Sequence, residues 1–241
     1  MAFESEDGLY AIVVRAFEKY KELYKNNPAN NPFQDGKLTH SQWTLDNGQV
    51  VYFVGEEHGI RQSVDYIHNE IVPKIKQDPK TWLILREKRA GVKVQSPMGN
   101  PPLFYSQELA KFFKIPYIEA LTDLYAPDTR AYIQAKAGIN GEDIDRIYLT
   151  MVTQEFATRE EIINLSLFAQ KASKVLKKPV EHALNLILMG PVEDSEQKFR
   201  DLVITPWNEY SRERFHRILK QYPNKSNILV CTGSLHLSAF Q

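Results

Sequence analysis

Two Gly-x-x-His motifs in the chain end at His58 and His236. Each follows an apolar run, and a third apolar run ends at Glu87. Two imidazoles and a carboxylate are the ligand set of hydrolytic zinc sites and of the facial triad that binds iron or manganese. The same groups can act on water as a general base without a metal, with Glu56 or Glu87 polarising a histidine. The residue types therefore predict either a metal site or an acid–base site, and both alternatives stay open.

Three apolar runs must position these groups: residues 50–54, 82–85 and 227–232. Each is apolar on consecutive residues, which is typical of strands buried on both faces. A helical pattern to about Ile75 joins the first two runs, and this order predicts a parallel βαβ unit. Ligands of open α/β sheets bind outside the carboxyl ends of parallel strands. We therefore expect the three site residues to meet there, within roughly 10 Å of one another, a span that one substrate can bridge.

The rest of the chain carries further helix and strand patterns, as expected of an α/β protein. Apolar residues at helical spacing predict a helix over 8–26, and Asp46-Asn47-Gly48 predicts a two-residue hairpin turn before residue 50. The segment 180–190 fits either a helix or a strand. The remaining patterns predict helices near 105–114, 128–138, 158–177 and 207–222, and strands at 116–119 and 146–152.

A long irregular stretch follows Glu87, from Lys88 to Leu103, and carries five Gly or Pro residues. Loops of this length in compact proteins are usually functional or disordered. Because it leaves directly from a candidate site residue, we predict that it covers the pocket as a lid. The length of 241 residues predicts a single domain over 1–241.

The charge composition limits which binding partners are expected. Thirty basic residues balance thirty acidic ones, so no net field favours nucleic acid or an anionic membrane surface. The acidic N-terminus and the short apolar runs predict neither an export signal nor a membrane span, which favours a cytoplasmic protein.

Cys231 is the only cysteine. It excludes an internal disulfide, and we predict that it is a buried core residue.

The six histidines differ in how strongly the sequence indicates a functional role. A histidine at a strand end can simply bond a backbone carbonyl, but two Gly-x-x-His motifs together with Glu87 favour a functional site. We predict that His68 is solvated on its helix. The last three, His40, His182 and His216, have no motif support and are predicted to be structural or exposed.

The motifs resemble the superfamily that joins erythromycin esterases, ChaN-type haem-binding proteins, TraB/PrgY proteins and Tiki proteases. The similarity covers about residues 48–90 and 205–240, and Glu56 completes a Gly-Glu-x-His motif of the ChaN type. The superfamily has an arginine on a late helix, a place that Arg212 or Arg214 takes here. This chain spaces its Glu and His one residue closer than the esterases do.

The resemblance implies a three-layer α/β fold, EreA/ChaN-like, with a mixed, mostly parallel sheet flanked by helices. It also implies a hydrolase, either esterase-like or metalloprotease-like, acting on an ester, amide or peptide bond. We expect His58, Glu87 and His236 to be catalytic and, in the metal alternative, to hold Mn, Co or Zn. Arg212 or Arg214 would hold a substrate anion or a developing oxyanion. The alternative is a non-catalytic protein that binds a small ligand or haem in the same pocket.

Overall fold

The computed structural model describes residues 5–23, 25, 38–56, 61–87, 101–121, 124–156 and 165–241. Backbone proximity divides the chain into two compact units. Unit 1 comprises Met1–Asp123 and Ser211–Gln241, and unit 2 is Leu124–Tyr210. That residues 1–241 behave as a single domain stays a prediction.

Unit 1 contains a five-stranded sheet with the order β1-β2-β5-β3-β4. β1 runs antiparallel to β2, and the other three neighbouring pairs are parallel. This confirms a mixed, mostly parallel α/β sheet. The last strand in the sequence lies between β2 and β3, so the two strands of the predicted βαβ unit both pair with β5. The strands are β1 Thr39–Thr44, β2 Val50–Glu56, β3 Trp82–Glu87, β4 Tyr117–Leu121 and β5 Asn227–Gly233.

The hairpin between β1 and β2 is present, but its turn is longer than predicted. The Gly48 N–H donates to the carbonyl of Leu45, and the Leu45 N–H donates to the carbonyl of Gln49, both at 2.8 Å. Three residues therefore form the loop instead of two. Gly48 adopts the left-handed conformation, with φ of 83°. A turn closed by one left-handed glycine is the usual three-residue hairpin, and it needs a positive φ at one position only.

Helices make up most of the rest. A π-helical turn, Ile67–Ile71, joins α2 to α3, and a second one, Arg200–Ile204, joins α9 to α10. Short 3-10 turns span Pro79–Thr81 and Ser234–Ala239. The helices are α1 Glu6–Leu23, α2 Arg61–Tyr66, α3 Val72–Gln77, α4 Pro101–Phe113, α5 Pro127–Ala137, α6 Gly141–Phe156, α7 Leu165–Leu176, α8 Val180–Leu188, α9 Ser195–Phe199 and α10 Thr205–Gln221.

Apolar side chains of unit 1 pack on both faces of the sheet. On one face, buried side chains of α1, α2, α3 and α4 form a single cluster with strand residues that include Trp82, Leu229 and Cys231. Cys231 is a buried free cysteine, as predicted. On the other face, Phe240 packs between Phe53 of β2 and Phe215 of α10. Burial on both faces explains the continuous apolar runs of the central strands.

In unit 2, the strand predicted at 146–152 is wrong, because this segment belongs to α6. The Asn140 side chain accepts from the Asp143 N–H at 2.8 Å, and the Asp143 carboxylate accepts from the Asn140 N–H at 3.1 Å. This reciprocal pair is a capping box, which satisfies orphan donors at a helix start. The open segment 180–190 also forms a helix, α8. The predicted helix 158–177 is described from Leu165 onward.

Among the described residues, no helix combines the length and the apolar character needed to cross a bilayer.

Candidate active site

The strands that carry the predicted site residues are neighbours and parallel. β5 pairs with β2 on one side and with β3 on the other. In this register Glu56 lies opposite Gly233, and Arg86 lies opposite Cys231. The carboxyl ends of β2, β5 and β3 therefore reach the same edge of the sheet, one strand spacing apart. Sheets of this type bind their ligands outside that edge.

β2 brings Glu56 to this edge, where its backbone pairs with Gly233. His58, two residues further, lies outside the described residues, as does most of the predicted lid, residues 88–100. The position of the His58 imidazole and the lid therefore stay predictions. The far end of the predicted loop differs from expectation, because Leu103 is a buried residue of α4.

Glu87 is the last residue of β3, and its side chain is half-buried. The hydroxyl of Thr232, on β5, donates to its carboxylate with an Oγ1–Oε2 distance of 3.3 Å. Thr232 is fully buried. Because a buried hydroxyl bonds one carboxylate oxygen, Glu87 is held at the edge between β3 and β5. Thr232 was missed by the sequence analysis, although it stands directly before the second Gly-x-x-His motif.

His236 lies in the 3-10 turn that follows β5 and is only 5% exposed. Burial lowers the pKa of its imidazole from 6.5 to about 4, because charging the ring inside the protein costs solvation. His236 is therefore neutral at pH 7. A neutral imidazole can bind a metal or accept a proton.

The two candidate arginines have different neighbours. Arg212 is exposed and donates to the backbone carbonyl of Ser238, in the turn that carries His236. Arg214 is half-buried, and its Nε and Nη2 donate to the carbonyl oxygen of Glu119 at 3.3 and 3.1 Å. Glu119 is the middle residue of β4. Arg214 thus bonds the backbone of β4, the strand beside β3, while Arg212 bonds the turn of His236.

A further ion pair at this edge was not predicted. The Nη2 of Arg86 donates to the Glu119 carboxylate at 2.7 Å, and its guanidinium carbon lies 5.1 Å from the centre of the Tyr117 ring. Arg86 precedes Glu87 and lies opposite Glu119 in the register of β3 and β4. The charged residues at 86–89 are evident in the sequence, but the partner of Arg86 on β4 is not.

The other histidines lie away from the motifs. His68 is a correction: its ring stacks on Tyr10 at 4.0 Å, bonds the Tyr105 hydroxyl at 2.7 Å and is mostly buried. In unit 2, His182 bonds the buried carboxylate of Asp145 at 3.2 Å. The remaining two, His40 and His216, are exposed, as expected.

Within the part of the chain that the structure describes, no three His, Cys, Asp or Glu side chains lie close enough together to hold a metal ion. The predicted trio includes His58, which falls outside that part. The metal therefore stays a prediction.

No family model, curated protein or solved structure matches this chain. The superfamily likeness therefore stays a resemblance carried by the motif residues alone.

Proposed function

We propose that the protein is a hydrolase that cleaves an ester, amide or peptide bond with water activated between His58, Glu87 and His236. The observation that carries the proposal is the strand order. Because β5 lies between β2 and β3, the ends of the three motif-bearing strands are neighbours at the edge where such sheets bind ligands. Composition, periodicity and motif spacing contain no information about this order.

The reaction uses water as its only co-substrate. Water gives a proton to a base at the site, and its oxygen attacks the carbonyl carbon of the substrate. The carbon–oxygen or carbon–nitrogen bond then breaks, and the leaving group takes up a proton. The products are a carboxylic acid and an alcohol or amine. Arg214 or Arg212 would stabilise the oxyanion that forms on the carbonyl oxygen.

The environment of His236 favours the metal alternative over direct base catalysis. An imidazole whose pKa is about 4 is a weak base at neutral pH. A ligand imidazole must be free of its second proton, and His236 is in that form at pH 7. His58, Glu87 and His236 would hold a divalent ion such as Zn, Mn or Co. When bound, such an ion lowers the pKa of its water toward neutrality and so supplies the nucleophile.

The test is a substrate screen on protein purified without chelators, together with elemental analysis. We expect turnover of at least one class among p-nitrophenyl esters and fluorogenic amides or peptides, and about one equivalent of a divalent metal. Stoichiometric metal with loss of turnover on chelation supports the metal alternative. Turnover that survives exhaustive chelation contradicts it and leaves hydrolysis standing. Haem absorbance without any turnover would instead support the ligand-binding alternative.

A further inference from the structure

Arg86 is a cation placed beside the candidate site. It is the residue before Glu87 on β3, and its side chain is 16% exposed. The Glu119 carboxylate holds its Nη2 at 2.7 Å, and the Tyr117 ring lies under its guanidinium carbon. The salt bridge and the ring together fix the guanidinium near the carboxyl end of β3.

The guanidinium of Arg86 is incompletely paired. Its Nε is buried and has no hydrogen-bond partner in the described part of the chain. A buried N–H of a charged group without a partner is unfavourable, so such groups are rare unless a ligand or water serves them. A guanidinium offers five N–H donors in a planar fork, and this geometry matches carboxylate and phosphate groups.

We propose that Arg86 binds an anionic group of the substrate, a carboxylate or a phosphate. This inference rests on the proposed function, because it names the substrate class of that same site. Glu119 holds the guanidinium in position and competes with the anion for it. Removing the Glu119 charge should therefore strengthen anion binding, whereas a purely structural ion pair would give no such gain.

Anion binding is measured first, without any turnover. Sodium phosphate and sodium glutarate are titrated onto the full chain at constant ionic strength, with thermal unfolding as readout, since a ligand of the folded state raises the Tm. The variants are Arg86→Gln and Glu119→Gln. Arg200→Gln is the matched control, because Arg200 is exposed and paired with Glu196.

We expect wild-type protein and Arg200→Gln to bind the anion equally. Arg86→Gln should bind at least about tenfold more weakly, the usual loss for one charge-assisted contact. Glu119→Gln should bind more tightly than wild type. Binding of phosphate without binding of glutarate would indicate a phosphorylated substrate. Binding of glutarate without binding of phosphate would indicate a substrate that carries a carboxylate. Equal affinity in Arg86→Gln and wild type overturns the proposal. If Arg86→Gln does not fold, unchanged or weaker binding by Glu119→Gln overturns it.

Turnover then separates this inference from the proposed function. The matched substrates are p-nitrophenyl acetate and the mono-p-nitrophenyl ester of glutarate. Arg86→Gln should raise KM about tenfold for the anionic ester only, because the lost contact serves the anionic group. An equal change on both esters contradicts the role of Arg86. If neither ester nor any other screened substrate reacts while the anion titration depends on Arg86, the hydrolase proposal fails and the anion site stands.

Discussion

Thr232 and Glu87 connect the ends of two neighbouring strands, with the threonine hydroxyl of β5 donating to the carboxylate of β3 at 3.3 Å. The bond links the strand that precedes His236 to the residue that ends the next strand. It gives the candidate carboxylate a fixed partner inside the sheet. The proposed chemistry requires Glu87 to stay in this orientation.

Thr232→Val should therefore reduce turnover through Glu87. Valine has nearly the same shape but lacks the hydroxyl, so it removes the bond without opening a cavity. We expect a several-fold to tenfold lower kcat and a change in unfolding free energy of about 1 kcal/mol, the usual net value of one hydrogen bond. Thr232→Ser keeps the hydroxyl and serves as the control, with kcat closer to wild type. A valine variant with wild-type kcat would show that the bond does not position the carboxylate.

Protein stability should depend on pH through His236. Its pKa is about 4 in the folded protein and 6.5 as an ordinary imidazole, so the unfolded chain binds more protons between these values. Stability contributed by neutral His236 is complete above about pH 6.5 and is lost as the pH falls toward 4, on the order of 3 kcal/mol in total. Urea unfolding at pH 7 and pH 4.5 measures the loss.

His236→Gln provides the comparison for this pH effect. Other groups titrate in the same window, so the informative quantity is the difference between the two proteins. The variant should lose less stability on acidification than wild type. Identical losses would mean that the histidine is not kept neutral by burial.

Local sequence patterns predict individual strands and helices, but they do not predict the order of the strands in the sheet. β2, β3 and β5 are evident because burial on both faces makes their residues apolar one after another. The insertion of β5 between β2 and β3 is a tertiary pairing, and no local pattern encodes it. The helix over Gly141–Phe156 was missed because its β-branched and aromatic residues favour a strand. Its start is marked by the capping pair Asn140 and Asp143.

In the candidate site, too, only the residues marked by a local pattern could be predicted. The motif residues could be predicted, since each directly ends an apolar run. Thr232 and the Arg86–Glu119 pair could not, because their contacts depend on which strands are neighbours and in what register. His68 was predicted to be solvated, yet its ring is covered by Tyr10, which comes from a helix far away in the sequence.

In unit 2, a buried carboxylate should dominate stability. Asp145 is 1% exposed, and it accepts from Arg130 at 2.7 Å and contacts His182 at 3.2 Å. Asp145→Asn leaves the Arg130 guanidinium without its charged partner, and we expect a loss of about 3 kcal/mol. Glu196→Gln breaks the exposed pair with Arg200 and should change stability by less than about 1 kcal/mol. Urea unfolding compares the two, and equal effects would contradict the role given to the buried network.

The predicted lid can be tested by shortening it. Removing residues 93–98 from the stretch after Glu87 should raise KM more than it lowers stability, because surface loops tolerate shortening while binding loops contact the substrate. The measurement is KM on a substrate from the screen, beside the urea midpoint. An unchanged KM with normal folding would show that this stretch does not cover the pocket.

The most direct test of the hydrolase proposal is the turnover of histidine variants on a screened substrate. His58→Ala and His236→Ala should each lower kcat by about a thousandfold, in the range for losing an acid–base group or metal ligand. Their unfolding free energies should stay within a few kcal/mol of wild type. His216→Ala is the control, since His216 is exposed on α10, and it should keep wild-type kcat. Wild-type rates in either site variant would contradict hydrolysis at His58, Glu87 and His236.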